Sequence, residues 1–301
     1  MWTATTVEDC RDRRFAFEGS VGLVPTMGAL HEGHVSLIRR ARELTDHVVV
    51  SVFVNPTQFG PGEDYQKYPR PLEKDLRMCR DAGADGVFAP SAEEMYPRGV
   101  IASDLRVPAL DNILEGEVRP GHFAGVCRVV LKLFNIIQPH LACFGEKDMQ
   151  QLRVIQSLVE DLEVPVEIEP CPTLREPDGL AMSSRNAYLN PEQRRRALGL
   201  YMALTEARAL IEADIESQPE ALERAMRTIM ESHGVQPDYA VIRDPMTFQP
   251  VREIDVASLG PVTALVAGRV DQVRLIDNLI IGAEDEGDAE RDDEDDEDRR
   301  D

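Results

Sequence analysis

The sequence has few cysteines and no pattern that would link them. Its 301 residues include five cysteines, an odd number, and no Cys-x-x-Cys pair. This usage argues against a secreted domain held together by disulfides. We therefore expect reduced, mostly structural thiols at Cys10, Cys79, Cys127, Cys143 and Cys171.

Long hydrophobic runs and targeting segments are also missing. The longest strongly apolar run, residues 48–54, is far too short to span a bilayer. No pattern typical of a signal peptide opens the chain. These absences predict a cytoplasmic protein without a membrane partner.

Positive charge is scarce, because 33 Lys and Arg residues face 55 Asp and Glu residues, a formal charge of −22. A chain this acidic argues against nucleic-acid binding through a general electrostatic surface. Much of the excess lies in residues 284–301, which contain 13 acidic residues and three arginines. That segment has almost no apolar side chains to bury, so we expect residues 283–301 to form a disordered acidic tail.

The rest of the chain has the length and the apolar content for two domains. In residues 1–172, β-branched apolar runs alternate with helical patterns, which predicts βαβ units around a parallel sheet. Pro170 and Pro172 then interrupt regular structure and mark a boundary near residue 172. Residues 173–282 change to two long helical patterns followed by short strands. The predicted fold class is α/β, with a smaller C-terminal α+β domain.

The patterns also predict where the individual elements lie. The expected strands are residues 21–24, 47–54, 86–89, 141–144, 166–169, 239–242 and 262–267. The expected helices are residues 35–44, 72–82, 122–137, 150–162, 191–213 and 219–232.

One segment, residues 26–34 with the sequence TMGALHEGH, lies where an apolar run gives way to a helical pattern. Phosphates bind at such turns, because the first N–H groups of a helix lack partners and the helix dipole is positive there. Gly28 and Gly33 would let the backbone approach a bulky ligand, and His31 and His34 would point the same way. Metal binding fits less well, since a zinc protease motif needs His-Glu-x-x-His, not His-Glu-x-His.

A second segment, residues 181–186 with the sequence AMSSRN, supplies hydroxyls and a guanidinium after an Asp-Gly turn. Such a loop could close over a triphosphate once nucleotide has bound. Between the two segments, GEKD at residues 145–148 follows an apolar run. Lys147 could neutralise phosphate charge and Asp148 could accept hydrogen bonds from a ribose. Asp148 could equally be an ordinary helix N-cap.

Two further loops carry polar side chains. Asn55 and Gln58 follow the second apolar run, and their amides suit a polar substrate with hydroxyls and a carboxylate. Asn55 could instead stabilise a turn. Arg119 could hold a carboxylate or phosphate through paired hydrogen bonds, or be a surface charge before a helix. Because ligands lie beyond the carboxyl ends of parallel strands, we expect these loops to form one site.

The joint order of these motifs resembles that of the pantoate–β-alanine ligase family, which shares a His-x-Gly-His segment with class I aminoacyl-tRNA synthetases. The resemblance runs from about residue 20 to residue 282. Its segments are VPTMG at 24–28, HEGH at 31–34, FVNP at 53–56, QF at 58–59, YPR at 68–70, RPGHF at 119–123, FGEKD at 144–148, QQL at 150–152, DGL at 178–180, SSRN at 183–186 and LIDN at 275–278. It implies a Rossmann-like nucleotidyltransferase fold. It also implies ATP-dependent condensation of pantoate with β-alanine through pantoyl adenylate, with release of pyrophosphate and AMP.

The resemblance also assigns site residues by position. The residues implied for nucleotide binding are Met27, Gly28, Ala29, Leu30, His31, Glu32, Gly33, His34, Gly145, Glu146, Lys147, Asp148, Leu174, Met182, Ser183, Ser184 and Arg185. The implied catalytic residues among them are His34, His31, Lys147 and Arg185. The residues implied for pantoate and β-alanine are Gln58, Gln151, Asn55 and Arg119.

Magnesium is implied as a companion of ATP, carried mainly by the nucleotide. Asp75 is the likeliest nearby carboxylate, but Lys74 precedes it where some relatives have another acid, which weakens a metal site built by the protein. The resemblance further implies a homodimer.

Other functions remain open from the sequence. A different nucleotidyltransferase of the same fold would keep the histidine segment but lack amides facing a small acid. A non-enzymatic protein would bind ATP without releasing pyrophosphate in response to pantoate. A truncated tRNA synthetase fits poorly, because the chain has no basic tRNA-binding region and Ala181 replaces the first lysine of a Lys-Met-Ser-Lys-Ser loop.

Overall fold

The computed structural model describes residues 1–100 and 105–282. Within those residues, six parallel strands form one sheet in the order β1-β4-β3-β2-β5-β6. Its strands are β1 (Trp2–Ala4), β2 (Val21–Thr26), β3 (His47–Val52), β4 (Gly86–Phe88), β5 (Leu141–Gly145) and β6 (Glu167–Cys171). The predicted parallel sheet is confirmed, and β1 is a strand too short for the sequence pattern to reveal.

Helices cover both faces of this sheet. They are α1 (Val7–Phe15), α2 (Glu32–Leu44), α3 (Leu72–Asp81), α4 (Ala92–Met95), α5 (Glu115–Val118), α6 (His122–Ile137) and α7 (Met149–Asp161). Val49 of β3 packs into the core formed with α1, α6 and α7, whereas its neighbours Val48 and Val50 pack into the core formed with α2 and α3. Side chains alternate across a strand, so burial on both faces explains why β3 is continuously apolar.

The longest helix of this part, α6, begins and ends where the sequence predicts. Gly121 precedes it with φ 83°, a left-handed conformation that favours glycine. Gln138 follows it with φ 49°, and Pro139 comes next. A left-handed residue followed by proline is a common helix end, because proline cannot continue the helix.

The C-terminal part of the chain forms an antiparallel sheet packed against helices. Its elements are α8 (Pro191–Glu212), α9 (Pro219–Ser232), β7 (Gln236–Arg243), α10 (Val256–Leu259), β8 (Val262–Val270) and β9 (Val273–Ile281). The two long helices are confirmed, and β9 is a strand that the sequence pattern missed. The two sheets lie on opposite sides of residue 172 in the sequence. The expected acidic tail, residues 283–301, lies outside the described residues.

Strand β6 corrects one expectation. Pro170 was predicted to interrupt regular structure, but it lies within β6, paired with Phe144 of β5. The physical reason is that β6 is the edge strand of the sheet, and an edge strand tolerates a residue without an N–H group.

The strand order changes direction between β2 and β5. From this point β2, β3 and β4 follow one another toward one edge of the sheet, and β5 and β6 follow one another toward the other edge. Strands β2 and β5 pair only at Gly22 with Leu141 and at Leu23 with Ala142. Farther along β2, Pro25 has no N–H group to offer a neighbour. Such a switch in strand order leaves a crevice at the carboxyl ends of the strands, where ligands bind. No helix in the described residues has the length and apolar content needed to cross a membrane.

Candidate active site

A cavity of about 220 Å³ occupies the crevice between β2 and β5. It gathers residues from segments far apart in the chain, as the sequence predicts. The predicted residues that line it are Met27, His31, Gly33, His34, Asn55, Gln58, Arg119, Gly145, Lys147, Asp148, Gln151, Leu174, Met182, Ser183, Ser184 and Arg185. The predicted residues that lie outside its lining are Gly28, Ala29, Leu30, Glu32, Asp75 and Glu146.

The turn between β2 and α2 is held by Asp75 from α3. The Asp75 carboxylate is fully buried and accepts hydrogen bonds from the N–H groups of Ala29 and Leu30, each at 2.9 Å. Gly28 has φ 79°, and a Cβ atom there would lie 2.9 Å from Asp75 Oδ2. Both Asp75 oxygens hold backbone groups of this turn, which gives the residue a structural role and further weakens it as a magnesium ligand.

Gly33 has a close neighbour within the same turn, which the sequence did not reveal. The prediction assigns it to close approach of a ligand, but a Cβ atom on Gly33 would lie 3.0 Å from the ring of His31. The absent side chain therefore makes room for a histidine of the same turn.

The two histidines point the same way, as predicted. His31 precedes α2, His34 lies in its first turn, and their ring centroids are 4.1 Å apart. His34 Nδ1 accepts a hydrogen bond from the His31 N–H at 3.3 Å, which leaves the proton of the neutral ring on Nε2. The His31 Nδ1 atom is buried and has no hydrogen-bond partner in the described part of the chain, and it lies against Gly33 of the same turn.

Both rings are neutral near pH 7. Burial, followed by the proximity of His31, lowers the pKa of His34 to about 3. Burial and the Lys147 ammonium lower the pKa of His31 to about 4. In the neutral form each ring carries one N–H donor, and an anion placed beside the rings would raise both pKa values by favouring the charged form.

Lys147 and Asp148 lie where β5 ends and a short 3₁₀ helix leads into α7. The Lys147 Nζ atom is 3.9 Å from Asp148 Oδ2, and the Lys147 side chain is 18% exposed. Asp148 occupies the N-cap position of α7, as the alternative has it, but its side chain accepts no hydrogen bond from the N–H groups of that helix. A Cβ atom on Gly145 would meet nothing within 4 Å, which leaves open space beside this turn.

The loop that carries Ser183, Ser184 and Arg185 is attached to a segment that follows β3. The Arg185 guanidinium donates to both oxygens of Asp64 at 3.0 and 2.9 Å. The hydroxyls of Ser184 and Tyr68 are 3.0 Å apart. Sequence reasoning missed Asp64 altogether, and its only signal for Tyr68 was the motif YPR at residues 68–70.

Asn55 is a structural residue of the site. It is 1% exposed, and its Nδ2 donates to Gln58 Oε1 at 2.9 Å and to Gly125 O at 3.1 Å. Its Oδ1 accepts hydrogen bonds from the Tyr96 hydroxyl and from Thr57. This geometry favours the turn alternative over substrate binding. Asn55 orients the Gln58 amide, whose Nε2 faces the Met27 sulfur at 3.2 Å.

Arg119 reaches the cavity but already has a carboxylate partner. Its Nε and Nη2 donate to Glu63 at 2.8 and 2.9 Å. Although burial raises the pKa of Glu63, this guanidinium brings it down to about 2. His122 lies beside Arg119, and its Nδ1 is 2.8 Å from the Gln58 carbonyl. The role of Arg119 in binding substrate stays a prediction.

The buried histidines predict that the fold loses stability in mild acid. Burial lowers the pKa of His122 to about 4, so His31, His34 and His122 all bind protons more weakly when folded than when unfolded. The stability that depends on these neutral buried rings is fully present well above pH 6.5 and is lost as the pH falls toward 4. At pH 5 we expect roughly 1–2 kcal/mol of lost stability per histidine. Urea unfolding at pH 7.5 and pH 5.0 measures this loss, and equal unfolding free energies would contradict it.

Comparisons with known proteins relate the chain to one group of enzymes. A family model described as pantoate-beta-alanine ligase matches residues 3–280. A pantothenate synthetase of Rubrobacter xylanophilus is 53% identical over 277 residues, which cover 89% of this chain and 94% of that protein. A pantothenate synthetase of Aquifex aeolicus is 51% identical over 262 residues, covering 86% of this chain and 90% of that protein.

Solved structures give the same relationship. A pantothenate synthetase from Thermus thermophilus has a TM-score of 0.86 at 47% identity, covering 93% of this chain and 99% of the other. A pantoate-beta-alanine ligase from Francisella tularensis, complexed with beta-gamma ATP and beta-alanine, has a TM-score of 0.77 at 35% identity. That match covers 93% of this chain and 97% of the other.

Proposed function

This chain belongs to the pantoate–beta-alanine ligase family, and from that premise we propose how its cavity joins pantoate to β-alanine at the expense of ATP. The observation that carries the assignment of roles is the meeting of His31, His34 and Lys147 with residues 183–185 at the crevice between β2 and β5. Neutral N–H donors, a cation and hydroxyls there match the needs of a triphosphate.

The first step is activation of a carboxylate. A pantoate carboxylate oxygen attacks the α-phosphorus of ATP, and pyrophosphate leaves, so pantoyl adenylate forms. His34 and Lys147 stabilise the charge that develops on the phosphate oxygens. Asp148 and Gly145 border the position for the ribose. No enzyme side chain is acylated, because the pantoate carboxylate is itself the nucleophile.

Pantoate binds between amides and an apolar wall. The Gln58 and Gln151 side chains line the cavity and offer donors and acceptors to its hydroxyls and carboxylate. Val126, Val129 and Leu133 of α6 form an apolar side of the same cavity, which suits the two methyl groups of pantoate.

The second step is attack on the adenylate by the amine of β-alanine. The amine adds to the pantoyl carbonyl, loses a proton, and AMP leaves with the bridging oxygen. The rate gain comes from holding the reactants in line, which can supply on the order of 7–11 kcal/mol.

Magnesium is proposed to be carried mainly by ATP, with Asp75 as a weak candidate ligand from the protein. In residues 1–100 and 105–282, no group of three or more His, Cys, Asp or Glu side chains could hold a metal ion. Asp75 is committed to the backbone of Ala29 and Leu30. Magnesium is therefore proposed to arrive on the phosphate oxygens of ATP. The homodimer and the cytoplasmic location stay predictions.

Measurement of AMP release tests the proposed function. Purified protein is supplied with ATP alone or with ATP and pantoate, and each mixture is tested with and without β-alanine. AMP is measured over many turnovers. We expect continued AMP formation only when all three substrates are present. AMP formation that is indifferent to β-alanine would contradict the ligase assignment, and AMP formation without pantoate would indicate simple ATP hydrolysis.

A further inference from the structure

Two consecutive polar residues lie in the buried middle of β9. Asp277 is 4% exposed and Asn278 is 5% exposed. A buried carboxylate or amide destabilises the fold unless it is hydrogen-bonded, so the hydrogen-bond partners of these two residues determine their role. Neither residue belongs to the lining of the 220 Å³ cavity. Their hydrogen bonds nevertheless lead to both halves of the proposed triphosphate site.

Asn278 reaches from the antiparallel sheet to the turn that carries Lys147. Its Nδ2 donates to the carbonyl of Glu146 at 2.9 Å and to the carbonyl of Lys147 at 2.8 Å. Both acceptors are backbone carbonyls, so the side chain must present its amide nitrogen to them. Two hydrogen bonds to successive carbonyls hold this turn in one orientation and fix where the Lys147 side chain leaves the backbone.

Asp277 holds the other half through Arg175. Its carboxylate accepts hydrogen bonds from the Arg175 guanidinium at 2.7 and 3.0 Å. The same guanidinium donates to the Gly179 carbonyl at 3.1 Å and lies over the Tyr201 ring, 4.4 Å from its centroid. A paired Arg–carboxylate contact of this kind fixes direction as well as distance.

Arg175 lies in a short hairpin that leads into the Ser-Ser-Arg loop. Arg175 pairs with Ala181 across the hairpin, and the Met182 N–H donates to the Leu174 carbonyl at 3.0 Å. Ser183 follows at once. The hairpin is therefore anchored on Asp277 just before the chain supplies Ser183 and its two neighbours to the cavity.

We propose that Asp277 and Asn278 are a pair of positioning residues, which set Lys147 and residues 183–185 at the separation that the triphosphate requires. The proposal rests on the proposed function, since it takes these groups to bind the phosphates of ATP. Adjacent residues of one strand point to opposite faces of the sheet, which lets a single rigid element reach both halves. Neither residue touches a reacting atom.

The pair should affect adenylate formation far more than adenylate use. Asn278→Asp places an oxygen opposite the carbonyls of Glu146 and Lys147, so the turn must shift. A displacement of about 1 Å in a positioned group can cost on the order of 100-fold, and we expect pantoate-dependent exchange between pyrophosphate and ATP to fall by about 10- to 100-fold. The reaction of preformed pantoyl adenylate with β-alanine should fall by a smaller factor, because that intermediate keeps the ribose beside this turn but has no β- or γ-phosphate.

Arg175→Lys tests the contact that holds the Ser-Ser-Arg loop. It is a separate variant, so its result stands even if the Asn278→Asp protein folds poorly. Lysine keeps the positive charge near Asp277 but lacks the paired donors of arginine. The Ser-Ser-Arg loop should lose its fixed position, so we expect a higher KM for ATP in the exchange reaction and again a smaller change in the use of preformed adenylate.

A matched control is Tyr239→Phe. It removes a buried hydrogen bond of 2.9 Å between the Tyr239 hydroxyl and Glu115, another contact between the C-terminal sheet and the preceding part of the chain. This variant should leave the ratio of the two half-reactions unchanged. The proposal is overturned if Asn278→Asp and Arg175→Lys retain wild-type exchange, or if they lower both half-reactions equally. If the wild-type protein catalyses no pantoate-dependent exchange, the proposed function itself is wrong.

Discussion

Replacing Lys147 with alanine is expected to slow pantoate-dependent pyrophosphate release by about 100- to 1,000-fold, the usual cost of losing one well-aimed group at developing charge. The reason is position: Lys147 lies at the carboxyl end of β5 and lines the cavity together with His31 and His34. His34→Ala should have a comparable effect, because its ring supplies a neutral N–H donor at the start of α2. The measurement is the rate of pyrophosphate release with saturating ATP and pantoate.

The loss should not come from unfolding. The Lys147 ammonium makes one ion pair among the described residues, at 3.9 Å from Asp148, and such a pair contributes little to stability. The matched control is Lys67→Ala, because the Lys67 side chain is exposed and does not line the cavity. Near-normal pyrophosphate release by purified, folded Lys147→Ala and His34→Ala proteins would contradict the roles proposed for both residues.

The second large effect is expected for Asp75→Ala. The substitution leaves the buried N–H groups of Ala29 and Leu30 without their acceptor, and each unsatisfied group costs about 1–3 kcal/mol. The turn that carries His31 and His34 should loosen, so we expect a lower melting temperature together with a loss of activity of at least about 100-fold. Thermal unfolding and pyrophosphate release measure the two effects.

Magnesium dependence separates this structural role from metal binding. If Asp75 holds the turn, excess Mg²⁺ cannot restore the variant, and the concentration of Mg²⁺ that gives half of its activity stays at the wild-type value. Glu73→Ala is the control, because Glu73 is an exposed acid in the same turn of α3. Recovery of Asp75→Ala at high Mg²⁺ would show that Asp75 is a ligand after all.

The sequence predicted the elements whose signals are local. Helix α6 has an apolar pattern between a glycine and a proline, and the structure gives it the predicted bounds. The turn before α2 was predicted because its glycines and histidines follow an apolar run directly. In contrast, β9 was missed because Asp277 and Asn278 interrupt its apolar pattern, and those residues are buried only because of distant partners.

Residue roles were harder to predict wherever the partner lies far along the chain. Asp75 holds groups about 45 residues earlier, and Arg185 is paired with Asp64, 121 residues away. Asn55 looked like a substrate ligand because it follows a strand, but its partner at Gly125 lies on α6. Composition and spacing can predict that polar residues meet at one edge of a sheet. They do not determine which side chains face the ligand and which hold the loops.

The most direct test of the proposed chemistry follows the carboxylate oxygen. Pantoate labelled with ¹⁸O in its carboxylate is converted with ATP and β-alanine, and the products are analysed by mass spectrometry. Attack of the carboxylate on the α-phosphorus, followed by departure of AMP from the carbonyl, predicts one labelled oxygen in AMP and none in pyrophosphate. Unlabelled AMP, or label in inorganic phosphate together with ADP, would contradict an adenylate intermediate in this cavity.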